Sequence, residues 1–442
     1  MILNSWGRYP QTVANLLEPR SAAAAQRLVN AHSKEDSLIA RGAGRSYGDS
    51  ALAPVVLSSR FLDSFIAFDE ASGVIHCGAG ISLDTVLKVA IPKQWFLTVI
   101  PGSKFVTVGG AIAADVHGKN HHVDGTFCQH IIEFTLLLAS GETVICSPAN
   151  NPELFHGTCG GMGLTGIIVD AKIQLSKTPG VFIEQTAIVT ENLQETFNGL
   201  EENNTSKYSV AWLDCLALGD KLGRSAVYLG EHATGGKFKH KDGLTISVPF
   251  ATPAFLLNKY SMTAFNSAYF NLKKATAKKS KPHYNSFFFP LDNIRHWNRL
   301  YGSNGFLQYQ FVVPTEAAHS AISDVLKKVA EAGKGSFLTV LKKFGKANKN
   351  LLSFPKEGYT LTLDFKREKS LFPLLLELDD IVLASGGRLY LAKDARMSES
   401  MFKKGYPEWE AFARLKAQVD PENIFGSLQS QRLGLTAKQR IR

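Results

Sequence analysis

Between Pro101 and Gly118 the chain consists mostly of small residues, with Val108-Gly109-Gly110-Ala111-Ile112-Ala113-Ala114 at the centre and His117-Gly118 at the end. Side chains this short let a flat, bulky ligand lie directly against the backbone. That requirement constrains the fold more than any other feature. Two more glycine-dense segments accompany it. One is Arg41-Gly42-Ala43-Gly44-Arg45-Ser46-Tyr47-Gly48-Asp49; the other, Gly160-Gly161-Met162-Gly163-Leu164-Thr165-Gly166, follows Glu153-Leu154-Phe155. A pyrophosphate needs backbone N–H groups at close range, which glycine permits, and Arg45 and Ser46 add charge-assisted donors. The 41–49 loop is not a Gly-x-Gly-x-x-Gly dinucleotide fingerprint, because the second helix-opening loop and the downstream acid are missing. Nor is it a Walker loop, because no Gly-Lys-Ser/Thr follows.

The 442 residues exceed one ordinary core, so two domains or one large composite domain are expected. With 45% hydrophobic and 20% charged residues the composition is globular. The net charge of +10 favours anionic partners. Much of the excess lies in one stretch, at Lys237, Lys239, Lys241, Lys259, Lys273, Lys274, Lys278, Lys279 and Lys281. Cys77, Cys128, Cys146, Cys159 and Cys215 are odd in number and lack ligand spacing, so they read as neither a disulfide scaffold nor a zinc site. His117, His121 and His122 match no standard zinc motif, and no metal is expected. The N-terminus lacks the basic and apolar pattern of a secretory signal, and no apolar run is long enough to span a bilayer. The expected location is cytoplasmic or peripheral at a membrane surface.

Periodicity predicts a helix over 12–35, strands near 37–40, 55–58, 64–68 and 74–78, and a helix over 83–90. Residues 97–102 read as a strand entering a loop, 131–138 and 143–146 as a hairpin around Ser140-Gly141-Glu142, and 167–175 as a strand. Lys177-Thr178-Pro179-Gly180 marks a boundary. Beyond it, strands at 206–212, 306–313, 336–341 and 358–365 and helices at 315–332 and 370–385 predict an antiparallel sheet flanked by helices. Residues 231–285 mix lysines with Phe250, Phe255, Tyr260, Phe265, Tyr269 and Phe270 and read as long, mobile loops. The fold class is α+β.

The 41–49 loop, the Pro101-Gly102…Val108-Gly109-Gly110 stretch, the 153–166 run and Asp420-Pro421-Glu422-Asn423-Ile424-Phe425 occur in an order that resembles the FAD-binding module of the vanillyl-alcohol-oxidase (PCMH-type) family. The match covers roughly residues 10–178 and 385–428. Arg45–Asp49, His117–His122, Gly305–Gln310 and Ala392-Lys393-Asp394 are similar to a branch of that family acting on polyprenyl-phosphate-linked ribose. The resemblance implies a PCMH-type FAD-binding domain of two α/β subdomains at 1–178. It implies a substrate domain at 179–385 and a C-terminal segment at 386–442 that returns to the FAD domain.

It also implies residue roles. Gly42, Ala43, Gly44, Arg45, Ser46 and Tyr47 would wrap the FAD pyrophosphate. Gly102, Thr107, Val108, Gly109, Gly110, Ala114 and His117 would line the isoalloxazine and ribityl chain. Ile168 would contact the adenine side, and Tyr390 and Lys393 would return to the flavin. Several relatives carry a histidine, covalently bonded to the ring, where this chain has Arg45. Arginine cannot form that bond, so the FAD is expected to be non-covalent. The implied chemistry is oxidation of a sugar secondary alcohol to a ketone, at carbon 2 of a polyprenyl-phosphate-linked ribose, as the first half of an epimerisation to arabinose. Hydride passes to the flavin while His117 or Lys393 accepts the hydroxyl proton. Lys119, Gln308, Gln310, Lys342, Thr360 and Thr362 would face the substrate. A NAD(P)H-dependent short-chain reductase would be the partner.

Two segments depart from the family pattern. Phe288-Phe289 replaces a Tyr-His pair, and Thr360-Leu361-Thr362 replaces a more polar strand. A soluble polyol or aldonolactone therefore stands as an alternative substrate. A basic nucleic-acid-binding protein is a distant third reading; the chain lacks a recognisable nucleic-acid motif, and no nucleic-acid partner is expected.

Overall fold

The computed structural model describes residues 1–33, 35–241, 246–253 and 256–437. Of the aromatics singled out above, Phe255 lies outside the described residues. The first part of the chain forms two small layers. Leu38–Arg41 and Asn15–Leu17 flank Val55–Ser58 in a parallel three-stranded sheet. A five-stranded antiparallel sheet runs in the order Thr143–Cys146, Ile131–Leu137, Ile167–Gln174, Val74–Gly78 and Phe65–Asp69. The predicted hairpin across Ser140-Gly141-Glu142 is present, with Leu137 opposite Thr143. Alternate residues such as Ile75, Cys77, Phe134, Leu136, Ala171 and Ile173 turn to one buried core.

The C-terminal segment docks on the parallel sheet. Leu38 N–H donates to Ile424 O at 2.8 Å, and Gly426 N–H donates to Leu38 O at 3.0 Å. The Asp420 carboxylate explains the motif around it. It accepts from the N–H groups of Ile424 and Phe425 at 2.9 and 2.8 Å and from Lys416 Nζ at 2.9 Å. The turn thus presents Phe425 to the core beneath Leu38.

An eight-stranded antiparallel sheet carries the rest. Its order is Lys279–Ser280, Ile183–Thr190, Ser225–His232, Tyr208–Leu213, Thr339–Phe344, Gly358–Lys366, Phe306–Val313, Arg388–Leu389. One face is apolar. Leu307, Tyr309 and Phe311, Leu361 and Leu363, Leu341, Ala211 and Val227 pack against helices Leu193–Glu201, Thr315–Glu331 and Leu371–Ala384 through Phe197, Ile322, Val325, Leu326, Leu374 and Leu378. Because side chains alternate along a strand, the intervening residues look the other way, and that second face roofs the site.

Four expectations change. Residues 12–35 are not one helix: Gln11–Val13 and Asn15–Leu17 are strands, and the helix is Ala22–Asn30, with Ser21 Oγ accepting from Ala24 N–H. Pro19 precedes the helix, and the two short strands exist through pairing rather than propensity. Only Trp95–Phe96 is extended near 97–102. The strand expected at 336–341 begins at Thr339, because the Ser336 side chain closes a turn with Leu338. Within 231–285 the segment Lys259–Thr276 is a continuous helix capped by Asn258, not a loop.

Candidate active site

A cavity of about 730 Å3 lies between the glycine-dense segments and the second face of the large sheet. Of the expected cofactor residues, Gly42 through Tyr47, Gly102, Thr107, Gly109, Gly110, Ala114, His117, Ile168, Tyr390 and Lys393 border it. Val108 does not: its side chain is buried in the core and its N–H donates to Ile81 O at 2.8 Å. Of the expected substrate residues, Lys119, Gln308, Gln310, Lys342 and Thr362 border the cavity. Thr360 is fully buried behind them, and its Oγ1 accepts from Gln310 Nε2 at 3.2 Å.

Sterics account for the glycines. A Cβ on Gly42 would lie 2.1 Å from Thr107 Oγ1, the atom that caps the short helix Val108–Ala113. A Cβ on Gly48 would lie 1.8 Å from Asp394 O, so this glycine lets the C-terminal segment reach the loop, where Tyr47 N–H donates to Ala392 O at 3.0 Å. A Cβ on Gly102 would meet nothing and would project into open space. The segments 42–47 and 102–110 contain no acid. Glycine backbone beside an acid-free, arginine-bearing loop is the donor chemistry an FAD pyrophosphate and ring require.

Asp49 and Asp394, which sit inside the recognised motifs, both hold Arg432. Its guanidinium donates to Asp49 at 2.7 and 3.1 Å and to Asp394 at 2.8 Å. Asp115 is a second knot. It accepts from Asn348, Asn350, Ser353 and the Cys128 N–H, tying the glycine-rich stretch to the 348–353 loop. Arg45 lies over the Trp6 ring at 4.5 Å.

The reactive groups form one network. Lys393 Nζ sits 3.8 Å from the Tyr47 ring centroid. Burial lowers the pKa of Lys393; Asp364 pulls it back upward and Lys342 lowers it again. Burial raises Asp364, and hydrogen bonds from Gln308 and Tyr301 and the charge of Lys393 draw it back down; its Oδ1 accepts from Gln308 Nε2 at 2.5 Å. Lys119 is depressed to about 7, by burial and then by Lys342, and Lys342 to about 8 by burial. The Lys119 ammonium donates to Phe287 O and stands 4.2 Å from the Phe287 ring. His117 is packed by Phe344, Phe354 and Tyr390 and held well below its ordinary pKa by burial and by Lys342, His121 and Lys393, so it is neutral. Gln310 Nε2 donates to His117 Nε2 at 3.1 Å, leaving the proton on a buried Nδ1 without a partner.

Walking across the sheet, the cavity face changes character. Gln308, Gln310 and Thr362 stand toward the Arg388–Leu389 edge, Lys342 and Val340 share the next strand, and Val210, Trp212 and Tyr228 lie beyond it, so that Gln310, Thr362, Val340 and Trp212 form one cross-strand row. Asp364, Trp212, Tyr228 and Val340 were not singled out from the sequence, and Tyr269 was named only as part of the lysine- and aromatic-rich stretch. Alternation from Thr362 reaches Asp364 and alternation from Lys342 reaches Val340. Among the described residues no group of three or more His, Cys, Asp or Glu could hold a metal ion, and the five cysteines are buried and free.

Known proteins give this geometry its class. A family described as an FAD binding domain matches residues 13–147, and one described as D-arabinono-1,4-lactone oxidase matches residues 306–433. The chain is 38% identical to decaprenylphosphoryl-β-D-ribose oxidase of Mycolicibacterium smegmatis over 98% of its own length and 97% of that protein. It is 30% identical to an uncharacterized protein from the mprA 5' region of Streptomyces coelicolor, over 80% of this chain and all of the relative. Cytokinin dehydrogenase 4 of Arabidopsis thaliana is 31% identical over 32% of this chain and 28% of that protein. Fold and site define an FAD-dependent oxidoreductase. The chain belongs to the vanillyl-alcohol-oxidase (PCMH-type) family, in the group of decaprenylphosphoryl-β-D-ribose oxidase.

Proposed function

We propose that this chain oxidises the carbon 2 hydroxyl of a polyprenyl-phosphate-linked ribose to a ketone. The observation that carries the reading is a single cavity lined by hydroxyl-binding glutamines, buried lysines and an apolar wall. Those three surfaces match sugar, phosphate and prenyl chain. Gly42 to Tyr47, Thr107, Gly109 and Gly110 would hold FAD without a covalent bond, since Arg45 stands where a histidine would be needed. FAD, when bound, supplies the hydride acceptor.

Lys393 is the better proton acceptor of the two candidates. Its pKa is lowered by burial, so a neutral amine is accessible near neutral pH, and it borders the cavity. The Nε2 lone pair of His117 already accepts from Gln310, and Nδ1 is enclosed. The ammonium that Lys393 becomes on taking the hydroxyl proton would keep positive charge in the cavity, and Asp364 would balance it. Gln308 and Gln310 would orient the sugar, and Lys119 and Lys342 the phosphate.

The ketone would be reduced from the opposite face by a separate NAD(P)H-dependent short-chain reductase, completing the epimerisation. The helix Lys259–Thr276 and its flanks, with exposed Ile246, Phe250, Tyr260 and Leu272 among lysines, suit peripheral contact with an anionic membrane. No helix among the described residues is long and apolar enough to cross one. The match of 306–433 favours a second reading, oxidation of a soluble aldonolactone. A substrate deuterated at carbon 2 separates the two. The proposal expects loss of the label and a primary isotope effect on turnover. Retention of the label in the oxidised product, or turnover confined to aldonolactones, would contradict it.

A further inference from the structure

We propose that the apolar end of the cavity, formed by Val210, Trp212, Tyr228, Tyr269, Leu338 and Val340, is a binding subsite for the first isoprene units of the substrate's lipid chain. This deepens the function proposed above and rests on it. The six residues border the same cavity as the glutamines and lysines. From the strand of Gln308 and Gln310 to that of Val210 and Trp212 is a walk of three strand spacings, about 4.8 Å each. A sugar phosphate would be consumed over that distance, so whatever lies beyond must suit the next part of the molecule.

The wall is apolar in chemistry as well as composition. Trp212 contributes no polar group to the cavity, because its Nε1–H donates to Phe337 O at 3.1 Å. Its ring meets Tyr269 edge-on at 4.5 Å. The Tyr228 and Tyr269 hydroxyls lie 3.5 Å apart and serve each other. The subsite also leads outward. Tyr269 stacks on Phe265 at 6.1 Å, and Phe265 and Leu272 are exposed. With Phe265, Tyr269 and Leu272 at helical spacing on Lys259–Thr276, one helix face runs from the cavity to the surface. Lys273 lies over both tyrosine rings, at 5.7 and 5.0 Å, so the outer rim is cationic.

The test compares methyl-, geranyl- and farnesylphosphoryl-β-D-ribose as substrates of the FAD-loaded enzyme. Each methylene removed from water is worth roughly fourfold in binding, so kcat/KM is expected to rise about tenfold or more from the methyl to the farnesyl compound. Trp212→Ala and Tyr269→Ser are each expected to reduce that ratio by roughly threefold or more. Bound flavin absorbance reports whether each variant is folded. Tyr269→Ser, on a half-exposed helix face, carries the test if Trp212→Ala loses its flavin. A wild-type enzyme indifferent to chain length, or folded variants that keep the full ratio, would overturn the subsite alone. Turnover of none of the three compounds would overturn the proposed function and the subsite with it.

Discussion

Asp364 shares a strand face with Thr360 and Thr362, so the alternation that pointed to the threonines also carries the carboxylate to that side of the sheet, where it is fully buried behind the cavity wall. Its neighbours are legible only in three dimensions. Gln308 comes from the adjacent strand and Lys393 from beyond the sheet edge. That is why the glutamines, lysines and His117 could be named from sequence, while the group that tunes Lys393 could not. Thr360 shows the converse, a polar residue on the right face that its neighbour Gln310 covers. The carboxylate raises the pKa of Lys393, and a base works when deprotonated, above its pKa. Asp364→Asn should therefore move the acid limb of the kcat/KM profile to lower pH; an unmoved limb would remove Asp364 from the account. Lys119 and Lys342, depressed to about 7 and about 8, attract phosphate only while protonated. KM for a phosphorylated substrate should accordingly rise as pH rises through that range, while KM for an uncharged sugar analogue should not follow it.

At the scale of elements, the glycine loops and the C-terminal segment depend on each other. Motif order revealed that the two belong together, but not that Gly48 and Arg432 are the fastening points. Gly48 is an unremarked glycine in a string of them, and Arg432 lies outside every motif. Arg432→Ala would leave Asp49 and Asp394 as buried carboxylates without their cation, and removing one partner of a buried ion pair costs about 3–5 kcal/mol. Chemical denaturation should show a loss of that size, together with weaker FAD retention. The long strands 306–313 and 358–366 were readable because their alternation is strict and their faces differ. The strands at 11–13 and 15–17 were not, because three residues carry too little pattern and gain their structure from Ile2–Asn4 and Val55–Ser58. The helix Lys259–Thr276 was hidden by aromatic and lysine content, and its buried side rests on only Met262, Asn266 and Phe270.

Over the whole molecule, one large sheet separates two environments. Helices fill one side; the other side and the FAD-binding layers enclose a cavity that grades from polar to apolar. The basic, aromatic surface around Lys259–Thr276 lies where that cavity turns apolar, because Tyr269 borders both. Sedimentation with vesicles rich in anionic lipid should therefore retain the protein at low salt and release it at high salt, since each lysine near such a surface contributes about 1 kcal/mol that salt screens. Equal recovery with neutral and anionic vesicles would contradict this surface assignment. Family membership was legible in the motifs, whereas the direction of the cavity required the sheet order. The central claim is that this cavity binds a lipid-linked ribose for oxidation at carbon 2. Its most direct test is anaerobic mixing of the FAD-loaded protein with farnesylphosphoryl-β-D-ribose while the visible flavin absorbance is followed. The account predicts bleaching with one equivalent of ketone per flavin. No bleaching with this substrate, alongside bleaching by a soluble polyol or aldonolactone, would contradict it.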